Sequence, residues 1–154
     1  MNTRRIFVVA TVIVIGAVAN RAAATAPAGR YTITNGTVLD NKTHLTWQQT
    51  ATTNVTLAAA RTTCTNAGFR LPTLKEMSTI IDYQVPLGLD PANALIDQTA
   101  FPGTPNVFFW TATPVANFPT FSWTVGFFVR AVGVANLSLG DPATAAGMGV
   151  RCVR

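Results

Sequence analysis

The sequence predicts an α+β domain, and three observations carry that prediction. Short β-prone runs separated by turn residues occupy positions 31–48. Two stretches with helical spacing follow, over 56–66 and 73–82. From Gln98 to Val129 there is no charged residue, only short aromatic runs punctuated by proline, glycine and asparagine. Two helices, an antiparallel sheet and a long loop-rich second half are therefore expected.

The first thirty residues are read apart from this domain. Arg4 and Arg5 precede an unbroken apolar or small run, Ile6 to Ala19, and then come Asn20, Arg21 and Ala22-Ala23-Ala24. That is the order of a secretory signal peptide, with cleavage expected after Ala24. The 14-residue run is short for a membrane span, which needs about 20 residues. An uncleaved anchor is the alternative, and only then is a membrane a partner. The expected division is 1–24 signal peptide, 25–30 linker and 31–154 domain. The mature protein is expected to be exported, to the periplasm, the outer surface or the medium. Arg4, Arg5 and Arg21 leave with the signal, so eight Lys or Arg remain against six Asp or Glu, a net of +2. Those eight are scattered rather than clustered, which argues against a nucleic-acid partner.

Within the domain, Tyr31 to Thr34 and Thr37 to Leu39 are β-rich and flank Asn35-Gly36, a hairpin turn signal. Asp40 to Thr43 reads as a second turn, and Leu45 to Trp47 as a third strand with Trp47 buried. Leu57, Ala60, Arg61 and Cys64 recur at helical spacing, with Gly68 placed to stop the helix. Pro72 bars a helix before it, and Thr73 with Glu76 makes a capping box. Leu74, Met77, Ile80 and Ile81 then form one apolar stripe to about Asp82. Arg70, just outside this corner, reads as a buried or half-buried arginine paired with a carboxylate or with carbonyls. Trp123, Val125, Phe127 and Val129 alternate with Thr124, Gly126, Phe128 and Arg130, at strand period. The aromatics are expected in the core. "GVRCVR" is read as a last strand.

Cys64 and Cys152 are the two cysteines. In an exported chain they read as one disulfide, closing a loop of 88 residues; a catalytic thiol is the sharper alternative. The lone histidine, His44, sits in a turn without an HExxH partner. No G-x-S-x-G elbow, P-loop or G-x-G-x-x-G occurs. Asp82 and Asp90 are the carboxylates that could meet as an acid pair. The acidic residues are too sparse for a calcium site, and no metal or cofactor is expected.

The order "TVLDNKTHLTWQQ", "FRLPTLKEM", "IDQTAFPGTPNVFFWTATP", "SWTVGF" and terminal "VRCVR" resembles the Lcl C-terminal domain family, named for a bacterial collagen-like adhesin. The resemblance implies a C-type-lectin-like fold with a curled antiparallel sheet, and Cys64 of the first helix bridged to Cys152. Trp47, Arg70, Leu71, Pro72, Thr73, Glu76, Trp110 and Trp123 are its fold-determining residues. "RLPT" followed by Glu is also similar to a segment of the formylglycine-generating enzymes, and a motif shared by binders and enzymes reads as a fold determinant. The calcium-and-sugar motifs of true C-type lectins are absent, so calcium-dependent sugar binding is not implied.

The resemblance implies a non-catalytic binding module for polysaccharide or a cell-surface partner. A self-associating structural protein of the envelope is the second reading, and an enzyme of the formylglycine-generating type the third. A ligand face is expected on the loops of Asp97 to Phe121 and near Arg130, with Phe121 and Arg130 as the ligand-binding candidates. Arg130 follows the long aromatic tract and could pair with an anionic group.

Overall fold

The computed structural model describes residues 26–83, 95–127, 131–136 and 147–154, with only the backbone of 131–136. The signal segment and Arg130 lie outside the described residues, as does Asp90. Among the described residues the protein is α+β, with two helices and two sheets.

Strands β1 (Tyr31–Thr34), β2 (Thr37–Asp40) and β3 (Leu45–Gln48) form an antiparallel sheet in that order. Asn35 and Gly36 join β1 to β2 with φ of 47° and 75°. A two-residue hairpin turn needs positive φ at both positions, which asparagine and glycine tolerate. Val38 faces Trp47 across β2 and β3, and both are fully buried.

The second sheet runs β4 (Thr52–Thr53), β8 (Gly149–Val150), β5 (Phe108–Val115), β6 (Phe118–Gly126) and β7 (Ala131–Asn136). Its pairs are antiparallel except β5 with β8. The predicted alternation of β6 is not what packs. Ser122 and Thr124 are buried while Trp123 is only half-buried. The sheet buries both faces here, because Val125 and Phe127 are also in the core. Ser122 is tolerated because a neighbouring group satisfies it: its hydroxyl donates to the Thr111 carbonyl at 2.7 Å, where β5 shifts register against β6.

Helix α1 (Leu57–Asn66) is capped by Thr56, whose hydroxyl accepts from the Ala59 amide. It buries Leu57, Ala60 and Cys64. Gly68, at φ 74°, turns the chain out of it. Helix α2 (Leu74–Thr79) is shorter than the apolar stripe predicts. Ile80 is its C-cap, and Ile80 and Ile81 are buried in the turn that leaves the helix. Tertiary burial, not helical continuation, satisfies that stripe.

The capping box at α2 is present as predicted, and Arg70 is built into it. Glu76 accepts from the Thr73 amide at 2.8 Å, and Thr73 accepts from the Glu76 amide. Arg70 grips the same carboxylate with two nitrogens, at 2.7 and 2.9 Å. The pairing matches expectation, but the Arg70 side chain is 50% exposed rather than buried. Arg70's guanidinium, opposed by partial burial and helped by Thr73, holds the Glu76 carboxyl down to about 2 from the usual 4.5. A folded-state value below the unfolded one means the folded chain binds fewer protons. The stabilisation is complete above about pH 4.5 and is lost as pH falls toward 2. Glu76→Gln is therefore expected to cost about 1 kcal/mol at neutral pH, allowing for solvent screening, and to flatten that acid limb. Urea midpoints measured from pH 7 down to 2 check this; an unchanged acid limb in the variant would assign it to other carboxylates.

The C-terminal residues lock the two sheets together. Leaving β8, the chain places Cys152 and Arg154 against β3, with the Gln48 amide donating to the Cys152 carbonyl at 2.9 Å. On its other side, the amides and carbonyls of Arg70 and Val153 exchange hydrogen bonds of 2.9 Å. Cys64 and Cys152 form the predicted disulfide, with Cα atoms 5.4 Å apart. It lies in a buried cluster with Leu57, Ala60, Leu71, Trp110 and Val150. Trp110 also donates its indole N–H to the Val55 carbonyl at 2.8 Å.

Candidate functional site

The described surface carries a groove beside residues 26–31, the stretch expected to be mostly linker. These residues are tied to the domain at several points. The Ala26 amide donates to Asp97 Oδ2 at 2.6 Å, the Asn41 side chain to the Gly29 carbonyl at 2.9 Å, and the Asn41 amide to the Arg30 carbonyl at 2.8 Å. The strap so formed borders two hollows. One, of about 230 Å³, is lined in part by Arg30, Tyr31, Lys42, Asp82, Tyr83 and Asp97. The other, of about 250 Å³, shares Arg30, Tyr31 and Asp97 and extends to Ile33, Thr99 and Ala100.

Each wall is set by a local device. Arg30 pairs with the buried Asp40, Nη2 to Oδ2 at 3.0 Å, and donates to the Thr79 carbonyl at the end of α2. Its guanidinium also lies 4.8 Å from the centroid of the Tyr31 ring. Burial opposes Asp40's charge, but Arg30 and the Lys42 amide outweigh it and hold the carboxyl below its usual value. Burial likewise opposes the charge on Arg30, and the hydrogen bond to Asp40 together with the nearby Tyr31, Asp40 and Asp82 outweighs it. Burial pushes the Tyr31 phenol up, so it remains a neutral hydroxyl. Tyr31 packs edge-on against Phe101, with centroids 5.3 Å apart. Asp97 takes the Thr99 and Ala100 amides on Oδ1, both at 2.8 Å, which fixes the loop that carries it.

The result is a polar hollow with an exposed aromatic wall. Arg30 and Asp40 neutralise each other. Lys42, Asp82 and Asp97 supply further charges, and Tyr83 is 61% exposed at the rim. Such a surface offers hydroxyl, carboxylate and ammonium groups to a ligand, and a ring face to stack on. Among the described residues no three His, Cys, Asp or Glu side chains gather as a metal site. No helix there is long and apolar enough to cross a membrane.

The structure places Phe121 elsewhere, and Arg130, the other predicted ligand residue, lies outside the described residues. Phe121 lies at the far hairpin of β5 and β6, half-buried and stacked edge-on beneath Phe118 at 5.8 Å. Trp47, Trp110, Leu71 and Pro72 are buried, as fold determinants would be. Asp97, at the start of the expected ligand-face segment, does reach the groove, and Asp82 joins it there. The groove itself was not legible, because its walls come from four separate stretches near residues 30, 42, 82 and 97. Asp97 left one local trace: an aspartate two and three residues before Thr99 and Ala100 caps a turn.

A search of curated proteins finds no match to the chain. The model of the Lcl C-terminal domain matches residues 36–154, so Ala26 to Tyr31 lie before the matched span. That match covers both helices, the disulfide and every strand after β1, and on it the chain belongs to the Lcl C-terminal domain family.

Proposed function

We propose that this protein is an exported, non-catalytic binding module of C-type-lectin-like architecture, which takes a polysaccharide or another cell-surface ligand without calcium. The observation that carries the proposal is the groove along the 26–31 strap, where the exposed Tyr83 lines one hollow with hydroxyl, carboxylate and ammonium groups. Saccharide recognition uses such a combination: a ring face for stacking and a few placed polar groups for the hydroxyls. Family membership supports an adhesin-like role. The lectin-like reading is supported by two helices beside antiparallel strands, and by a disulfide from the first helix to the C-terminal segment. The non-catalytic reading is supported by that disulfide, which engages both cysteines.

The groove's charges favour a neutral, polyhydroxylated ligand over a strongly anionic one. Arg30 is already matched by Asp40, and Lys42 stands among two further carboxylates. Binding of a neutral polysaccharide is therefore expected to change little between low and high salt, whereas polyanion binding weakens with salt. The test is a panel of neutral and sulfated polysaccharides against folded, disulfide-bonded protein at two salt concentrations. Tyr83→Ala is expected to lower affinity roughly tenfold, the loss of one stacking face. A panel without binders, or a binder indifferent to Tyr83→Ala, would remove the groove as the ligand site.

A further inference from the structure

The hairpin of β5 and β6 ends in an apolar tip that the groove does not use. Ala116 and Asn117 make its turn, with Asn117 at φ 66°. Residues 116–120 are all exposed, and Phe118 presents 59% of its surface, braced edge-on by Phe121. The base of the hairpin is firmly held: the Ala112 amide donates to the Pro72 carbonyl, and Thr113 accepts from the Leu74 amide. The tip therefore presents Phe118 and Pro119 to solvent on a stem that is hydrogen-bonded to the domain at its base.

We propose that this tip inserts shallowly into the interface of a lipid bilayer. Three features select a bilayer over other occupants. The hairpin lies within a tract that carries no charge from Gln98 onward through both strands, so the hairpin itself brings no ionised group to be dehydrated as it approaches lipid. Pro114 and Pro119 lack N–H groups, and Val115 is paired with Phe118 across the turn. That lowers the number of backbone donors left unsatisfied in a medium that offers none. The patch is also small. A stable second copy or protein partner needs roughly 800 Å² from each side, more than a five-residue tip offers, whereas partitioning into lipid grows with each apolar group and has no such threshold.

The proposal is independent of the groove and is tested apart from it. The full chain, folded and disulfide-bonded, is sedimented with phosphatidylcholine vesicles at low and high salt. Phe118→Ala removes an exposed ring without opening the core, and Phe118→Trp keeps an interfacial aromatic. The wild-type protein is expected to partition into the vesicles equally at both salts. Phe118→Ala is expected to lower the partition coefficient roughly tenfold, and Phe118→Trp to keep it. Wild-type protein that stays in solution would overturn the proposal. So would equal partitioning of Phe118→Ala, which would place the attachment in another part of the chain, such as the apolar run Ile6 to Ala19. Self-association without vesicles that Phe118→Ala abolishes would assign the tip to a second copy instead.

Discussion

Reducing the Cys64–Cys152 disulfide, or replacing the pair with Cys64→Ala and Cys152→Ala, is expected to destabilise the protein by about 4 kcal/mol. The bond spans 88 residues, so without it the unfolded chain regains the freedom of a long loop. Loss in the folded state adds to this. Both sulfurs are fully buried among Leu57, Leu71 and Trp110. Cys152 also holds the segment whose next residue, Val153, bridges Trp47 on one side and Arg70 on the other. Releasing it loosens the contact between the two sheets as well as that with α1. Urea unfolding with and without reductant measures the effect. The midpoint should fall, and reduced wild-type protein should coincide with the double alanine variant. An unfolding curve indifferent to reductant would mean that the C-terminal segment is held by its backbone pairing alone.

Arg151→Ala is expected to cost about 3–5 kcal/mol, by combining a core cavity with unpaired carbonyls. Arg151 is fully buried. It donates to the Gln48 and Gln49 carbonyls and, at 2.8 Å, to the Thr104 hydroxyl. Its guanidinium sits 4.8 Å from the Phe101 centroid and 6.0 Å from that of Phe109. No carboxylate pairs with it among the described residues, and burial pulls its pKa down. The interaction is thus a cation held by carbonyl dipoles and ring faces, tying the end of β3 to the 101–104 loop and to β5. Because no opposite charge is left behind, Arg151→Met should cost much less, about 1–3 kcal/mol, with the side-chain volume largely kept. Arg151→Lys should fall between them, since one ammonium cannot reproduce the planar fork. Thermal or urea unfolding of the three variants ranks them. Equal loss in Met and Ala would show that hydrogen bonding, not packing, carries the residue's contribution.

Arg151 also shows where reading the chain fails. It lies between Val150 and Cys152, just past β8, and arginine is almost never fully buried without a partner. Nothing near it in sequence announces Phe101, Phe109 or the Gln48 carbonyl. The same holds for the groove. Arg30 meets Asp40 ten residues away and the Thr79 carbonyl 49 residues away, and Ala26 meets Asp97 across 71. By contrast, Asn35-Gly36, Gly68 and the Thr73–Glu76 box act within three or four residues of themselves, and each sits where its pattern predicts. The disulfide was legible despite its span, because two cysteines admit only one pairing within the chain.

The sequence by itself determined the hairpin, the starts of both helices, the covalent tie and the burial of Trp47, since each depends on local backbone chemistry or on a single available partner. Only the tertiary structure decided where α2 stops, which side chains of β6 are buried, and that the strap borders a groove. Ile80 and Ile81 leave the helix in a turn because the core accepts their side chains there. Ser122 and Thr124 go inside because β6 lies between β5 and β7 with both faces covered, and Ser122 has carbonyls within reach. The strap folds back because Asp97 and Asp40 stand where it can pair with them, and that placement exists only once the sheets are joined.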